Sequence, residues 1–116
     1  MLTVLVVDDH DGFRSVARTM LESEGFAVVG EALDGAGAVA SAESLGPDLV
    51  LLDVHLPDVD GFDVARLLAG LTRPPLVVLV SSRPIADLRR RVEASPAAGF
   101  ISKAELSGAG ILALVE

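Results

Sequence analysis

Short apolar runs alternate with amphipathic segments along the whole chain. The apolar runs cover residues 2–7, 26–33, 49–52, 76–80 and 99–101. The clearest of them, 49–52, shows no apolar–polar alternation, which is typical of a parallel strand covered by helices on both faces. Five strands that alternate with helical segments predict a three-layer α/β sandwich with a parallel sheet, because crossovers between parallel strands are right-handed.

Helical spacing marks the segments between these runs. The first helix is predicted to begin at an Asp11 N-cap and to bury Phe13, Val16, Ala17, Met20 and Leu21. Arg14 is placed on its solvent side, and Gly25 ends it. Four more helices are predicted, over residues 34–45, between Gly61 and Gly70, from Pro84 to 95, and over residues 104–116.

Composition narrows the classes of function. The 116 residues are 51% hydrophobic, which suits one domain with its own core. No apolar run approaches the ~18 residues of a membrane span, and the first residues lack the features of a signal peptide. The absence of cysteine excludes disulfides and thiolate metal sites, and it suits a cytoplasmic location. A net charge of −8 and only 3% aromatic residues argue against nucleic-acid binding by this domain.

Polar residues follow the strands at one end of the predicted sheet. Asp8 and Asp9 follow the first strand, Asp53 the third, Ser81 the fourth and Lys103 the fifth. The carboxyl ends of parallel strands share one edge, which is where open α/β sheets bind ligands. Taken alone, Asp53 could simply cap its strand, but the five residues together predict a functional site.

The residue types at this edge indicate phosphoryl chemistry with a metal ion. Carboxylates about 4 Å apart repel by about 4 kcal/mol at an effective dielectric near 20, so three of them need a cation. Hard oxygen ligands without cysteine favour Mg²⁺ over zinc. Asp53 is a candidate nucleophile that would form an aspartyl phosphate, while Lys103 and Ser81 would join the metal in neutralising the phosphoryl oxygens.

Over essentially its whole length the chain resembles the receiver domains of two-component response regulators. The residues that support the resemblance are Asp8-Asp9, Asp53, Pro57, Gly61, Ser81-Ser82 and Lys103. The resemblance implies a flavodoxin-like, doubly wound sheet with strand order 2-1-3-4-5. It also implies a phosphoacceptor switch, rather than an enzyme, that receives its phosphoryl group from a sensor histidine kinase.

The same resemblance implies a Mg²⁺ site made by known positions of this chain. Asp9, Asp53 and the backbone carbonyl of His55 are similar to the direct ligands of the ion, and Asp8 to the acid that acts through water. The His55 side chain is open to two interpretations, a solvent-facing loop group or a phosphohistidine or zinc ligand.

Three further residues are similar to the switching parts of such domains. Ser81 resembles the switch hydroxyl, Lys103 the phosphate-pairing lysine, and Phe100 the aromatic that changes rotamer. Phosphorylation is then expected to reshape the face formed by the fourth helix, fifth strand and fifth helix, which could also pair two copies in a homodimer. Ala104 stands where many members have proline, as in receivers linked to helix-turn-helix output domains, which suggests transcription regulation by a longer protein from which this chain, residues 1–116, is cut.

Two other functions stay open at this point. One is a hydrolase with an aspartyl-phosphate intermediate, and the other is a receiver-like interaction module that works without phosphorylation. The arginines of the fourth helix region also have two interpretations, a solvated face or a contact with a partner or second copy. These arginines are Arg83, Arg89, Arg90 and Arg91.

Overall fold

The computed structural model describes residues 1–116 and contains one five-stranded sheet with helices on both faces. Its strands are β1 (Thr3–Val7), β2 (Ala27–Ala32), β3 (Leu49–Asp53), β4 (Leu76–Ser81) and β5 (Gly99–Ser102). They are all parallel and lie in the order β2-β1-β3-β4-β5. The predicted flavodoxin-like fold, a doubly wound sheet in a three-layer sandwich, is therefore confirmed.

Five α-helices and two single turns of 3-10 helix connect the strands. The α-helices are α1 (Asp11–Ser23), α2 (Gly35–Leu45), α3 (Gly61–Ala69), α4 (Arg89–Ala94) and α5 (Gly108–Val115). The 3-10 turns, Ile85–Asp87 and Lys103–Glu105, precede α4 and α5. None of these helices combines the length and the apolar content that crossing a bilayer requires.

Two hydrophobic cores lie on opposite faces of the sheet. Successive side chains of a strand point to opposite faces, so β1 sends Leu5 and Val7 to one core and Val4 and Val6 to the other. The first core packs against α2, α3 and the segment before α4, and the second packs against α1 and α5. Every residue of β3 is buried, which explains why its sequence shows no alternation.

Helix α1 buries the face that its apolar residues predict, except that Val16 is exposed and Arg14 is buried. Ala17 is fully buried, but Val16 is 68% exposed and Arg14 is buried. The predictions for Val16 and Arg14 are wrong because neighbouring helical residues point about 100° apart, and Val16 falls outside the arc around Ala17. Asp11 is also not the N-cap. His10 holds that position without a side-chain bond, and Asp11 is the first helical residue and pairs with Arg14.

The predicted helices on either side of β5 begin too early. The first turn after Pro84 is a 3-10 turn, and α4 starts only at Arg89, after Leu88 has left helical geometry at φ −122° and ψ −4°. The last helix begins at Gly108 rather than at 104. The hydroxyl of Ser107 accepts a hydrogen bond from the Gly110 N–H at 3.0 Å, which caps a new helix start at that point.

Candidate functional site

Three strand ends bring two buried acids and a lysine together at the carboxyl edge of the sheet. Asp8 follows β1, Asp53 ends β3, and Lys103 follows β5. Asp8 and Asp53 are 0% and 2% exposed. The Lys103 Nζ lies 2.6 Å from Asp8 Oδ2 and 3.5 Å from Asp53 Oδ2, so one ammonium contacts both carboxylates.

The side chains around Asp8 could hold a metal ion. Ligand atoms of Asp8, Asp9, His10 and Asp53 all lie within 4.8 Å of one another. The Oδ2 atom of Asp8 is buried, and the Lys103 ammonium is its partner at 2.6 Å. Carboxylate oxygens are the ligands that hard divalent cations prefer, so this donor set fits a divalent ion.

The two buried acids differ in how readily they ionise. Burial raises the pKa of Asp53, and the negative charge of Asp8 raises it further, against the His55 N–H at 3.2 Å and the charge of Lys103. Burial also opposes ionisation of Asp8, but Lys103 and the His10 N–H, 2.9 Å from Oδ1, together leave the pKa of Asp8 below 3.8. In the metal-free protein Asp8 therefore holds its negative charge more firmly than Asp53.

Gly61 ties the loop after Asp53 back onto β3. Its N–H donates a hydrogen bond to the Val54 carbonyl at 2.8 Å. A Cβ at this position would lie 2.7 Å from Val54 Cα and closer still to the Asp53 carbonyl oxygen, so no larger residue fits. Within this loop the His55 side chain is exposed, which matches the solvent-facing alternative.

Ser81 and Phe100 lie on the neighbouring strands β4 and β5. Ser81 is fully buried, and its Oγ accepts a hydrogen bond from the Arg83 N–H at 3.0 Å rather than contacting Asp53 or Lys103. Phe100 is partly buried, packs against the first core and lines an open groove next to Pro84. Ser81 ends β4 at the predicted edge, Phe100 lies further back in β5, and neither forms a hydrogen bond with the acids.

The sequence matches the response regulator receiver domain family over residues 4–114. The chain belongs to this family. The predicted family is confirmed, and the match leaves out only Thr3 of the sheet and Val115 of α5.

Relatives of this receiver domain differ in the function that their names state. The receiver domain is 38% identical over 102 residues to BvgA of Bordetella pertussis, described as a positive transcription regulator of virulence factors. This alignment covers 88% of the present chain and 49% of BvgA. The receiver domain is 40% identical over 90 residues to protein-glutamate methylesterase/protein-glutamine glutaminase 2 of Anaeromyxobacter dehalogenans, over 76% of this chain and 26% of that protein. The receiver domain thus spans about half, or less, of these relatives.

A solved relative shows the same fold with ligands. The crystal structure of the CheX–CheY–BeF3–Mg²⁺ complex of Borrelia burgdorferi aligns with a TM-score of 0.83 and 28% identity. The alignment covers 98% of this receiver domain and 86% of that chain. The likeness extends over the strands that hold Asp8, Asp53 and Lys103.

Two residues contact the acids of the site although the sequence did not identify them as site residues. His10 places its Nδ1 3.0 Å from Asp8 Oδ1 and 3.1 Å from Asp9 Oδ1. Arg14 donates from Nη1 to the Asp8 carbonyl at 2.7 Å and from Nε to Glu31 at 3.1 Å. His10 could have been found because it directly follows the paired acids. Arg14 could not, because its partner Glu31 belongs to another strand.

Phe13 is a third contributor that the sequence did not reveal. The Lys103 ammonium lies 4.4 Å from the centre of the Phe13 ring, which is a cation–π distance. The aromatic face and the two carboxylates together hold the lysine side chain, which is only 17% exposed, over the site.

Proposed function

We propose that this receiver domain accepts a phosphoryl group on Asp53 and thereby switches a signalling surface. The observation that supports this most directly is the Lys103 ammonium, 3.5 Å from Asp53 and 2.6 Å from Asp8 at the ends of three strands. An ionised Asp53 is an oxygen nucleophile, and the ammonium offsets the charge of the incoming phosphoryl group.

The proposed donor is a phosphohistidine of a sensor histidine kinase. In the transfer the P–N bond breaks and its electron pair returns to the imidazole, while an Oδ atom of Asp53 forms the new P–O bond. The protein's own contribution is to position Asp53 and to compensate charge, which is what phosphoryl transfer mainly requires.

We propose Mg²⁺ as the resident ion, held by Asp9, Asp53, the backbone carbonyl of His55 and, through water, Asp8. The closeness of the ligand atoms of Asp8, Asp9 and Asp53 supports an ion at this place, and so does the Mg²⁺ named in the Borrelia CheY complex. Bound Mg²⁺ would supply positive charge that favours ionised Asp53 and offsets the phosphoryl oxygens. This role fits the pKa of Asp53, which burial and Asp8 raise in the metal-free protein.

The proposed switch runs through Ser81 and Phe100. Ser81 Oγ only accepts, from the Arg83 N–H, so its own proton is free to be donated to a phosphoryl oxygen. Phe100 has no hydroxyl and can turn inward into vacated space without burying a polar atom. Moving an equilibrium from 1:99 to 99:1 takes about 5.5 kcal/mol, which two or three charge-assisted hydrogen bonds can supply.

The proposed output is transcription regulation, with the face of α4, β5 and α5 as the contact to an output domain or to a second copy. The support is the 38% identity to BvgA, of which this chain covers 49%. The methylesterase relative represents a different output. A helix-turn-helix encoded downstream would support the proposal, and an esterase domain there would overturn it.

Phosphorylation is tested by intact mass spectrometry after incubation with acetyl phosphate and Mg²⁺. The parent protein should gain one phosphoryl group and Asp53→Asn none. Asp63→Asn makes the same chemical change at an exposed acid that pairs with Arg66, and it should behave like the parent. Equal phosphate gain in the parent and in Asp53→Asn would contradict the assignment.

The same preparation separates the two other functions. Release of many phosphates per protein from an aryl phosphate would indicate a hydrolase. A parent protein that gains no phosphate and binds no beryllofluoride in Mg²⁺ would instead indicate an interaction module that works without phosphorylation.

A further inference from the structure

Arg14 is a buried cation that none of the proposed steps uses. Its side chain is only 10% exposed, although it lies in the first turn of α1. A buried charge is tolerated when it is paired and hydrogen-bonded. The guanidinium meets this condition with three partners, because Nη1 donates to the Asp8 carbonyl at 2.7 Å, Nε donates to Glu31 at 3.1 Å, and Nη2 pairs with Asp11.

The contact with Asp8 differs from the other two because it reaches the backbone of a residue at the site. The Asp8 carbonyl is in a buried bond with Arg14, and no backbone N–H donates to it. The Asp8 N–H donates to the Ala32 carbonyl at 3.1 Å. Because buried carbonyls need a donor, β2 holds one backbone group of Asp8 and Arg14 holds the other.

This fixed backbone directs two contacts to the Lys103 ammonium. Asp8 Oδ2 lies 2.6 Å from Lys103 Nζ, and the ring of Phe13, the neighbour of Arg14 in α1, is centred 4.4 Å from the same atom. Both contacts require the start of α1 to lie in a fixed position at the end of β1. Lys103 Nζ in turn lies 3.5 Å from Asp53 Oδ2.

We propose that Arg14 is a positioning residue for phosphoryl transfer to Asp53, because it fixes the Asp8 backbone and with it the Lys103 ammonium. The inference rests on the proposed function. Arginine suits this role because its planar fork presents several donors in a fixed geometry, which a lysine ammonium does not. Displacing a charge-compensating group by about 1 Å is enough to slow a reaction about 100-fold.

Arg18 separates this role from a purely structural one. It also belongs to α1, and its Nε donates to the other carboxylate oxygen of Glu31 at 2.9 Å, but it does not contact Asp8. Arg14→Met and Arg18→Met therefore both remove an ion pair between α1 and β2 and keep an unbranched apolar side chain. Only Arg14→Met releases the Asp8 carbonyl.

The first measurement is the rate of phosphate gain from acetyl phosphate in Mg²⁺, followed by intact mass spectrometry. Arg14→Met should slow this rate by about 10- to 100-fold, the scale of a misplaced reacting group. Arg18→Met should react at the parent rate. Urea denaturation of each variant shows that it is folded.

A spectroscopic signature reports on the lysine itself. Lys103 is the only lysine of the chain, so labelling with ¹⁵N-lysine gives a single side-chain ammonium resonance. In metal-free protein, Arg14→Met should shift this resonance and speed the exchange of its protons with water. Arg18→Met should leave both unchanged, since a loss of stability alone does not move Lys103 relative to Asp8.

Glu31→Ala replaces Arg14→Met in both measurements if the latter does not fold. Glu31 is 32% exposed, and its removal takes away one of the three partners of Arg14 while the Asp8 carbonyl keeps its donor. The rate should then fall by about 2- to 5-fold, the scale of a partly exposed ion pair, and the lysine resonance should shift in the same variant.

Failure of this inference is distinguishable from failure of the proposed function. A parent protein that gains no phosphate overturns the proposed function and this inference with it. If the parent is phosphorylated on Asp53, a folded Arg14→Met with the parent rate or the parent lysine resonance overturns only the role of Arg14. Equal slowing in Arg14→Met and Arg18→Met overturns it as well, because the two arginines would then act through stability alone.

Discussion

The centre of the sheet and its β5 edge are packed very differently. Every residue of β3 is buried, as are all residues of β1 except its first. No residue of β5 or α4 is fully buried. Asp8 and Asp53 lie at the ends of the central strands β1 and β3, here called the tightly packed half. Phe100 lies in β5 and Lys103 directly after it, and β5, the turn after it and α4 are here called the loosely packed half.

This difference separates the place where a phosphoryl group would bind from the surface that would respond. Local opening costs least where few apolar side chains are buried, so β5 and α4 can rearrange at lower free energy than β1 and β3. A switch needs a rigid site for the phosphoryl group next to elements that can rearrange. The added negative charge then shifts β5 and α4 rather than the site itself.

The largest expected effect compares core truncations in the two halves. Leu51→Ala empties a fully buried position in β3 and should cost about 3–5 kcal/mol of unfolding free energy. Ile101→Ala removes a partly buried side chain of β5 from the same core and should cost less than about 2 kcal/mol. Urea denaturation measures both. Equal losses would mean that the difference in burial has no energetic counterpart.

The next effect is a pH dependence with opposite signs at the two buried acids in metal-free protein. The folded pKa of Asp53 is raised above 3.8, so the unfolded chain ionises first and stability falls as pH rises from 3.8 through that raised value. The folded pKa of Asp8 is lowered, so Asp8 contributes stability above 3.8 that is lost as pH falls through the lowered value.

At neutral pH, therefore, Asp53→Asn should be more stable than the parent and Asp8→Asn less stable. Each unit of pKa difference corresponds to about 1.4 kcal/mol. Urea denaturation in EDTA, repeated from acidic to neutral pH, checks both variants. If Asp53→Asn were the less stable protein throughout this range, the electrostatic account of the site would be wrong.

The smallest effect concerns the contact that holds α4 against the beginning of α3. Arg91 Nη2 lies 2.6 Å from Asp60 Oδ2, and its guanidinium lies 4.3 Å from the centre of the Phe62 ring. Arg91 is 50% exposed, so Arg91→Ala should cost only about 1 kcal/mol and less at high salt. Amide hydrogen exchange should nevertheless become faster in α4.

Arg90→Ala is the control for that contact, because Arg90 is exposed and forms no ion pair. Similar exchange rates in both variants would show that Arg91 does not restrain α4. The arginines of this region are thus not equivalent. Arg91 contacts its own chain, while Arg90 is free to contact solvent or a partner.

The tightly packed half was predictable from the sequence, and the loosely packed half was less so. A strand buried on both faces needs a continuous apolar run, so β3 and the acid that ends it are evident in the order of residues. Around β5 fewer side chains are buried, so helix caps and turns decide where the helices begin. The Ser107 cap restarts the last helix four residues after the predicted beginning, although a serine before a small-residue stretch is a recognisable start signal.

The parts of the site that the sequence did not reveal depend on contacts between distant segments. The burial of Arg14 requires Glu31 from β2 and the carbonyl of Asp8, and no periodicity within α1 indicates either. The cation–π contact of Lys103 with Phe13 likewise joins two ends of the chain. Such pairs become visible only when the sheet order is known.

Lys103 extends from the compliant half to the rigid one. It begins the single 3-10 turn between β5 and α5, yet its ammonium ends beside Asp8 and Asp53. A new negative charge on Asp53 would therefore draw the lysine away from Asp8, and the chain on either side of it would have to follow. The short connection between β5 and α5 would thus pass the movement of Lys103 on to both elements, and its length limits how far they can be displaced.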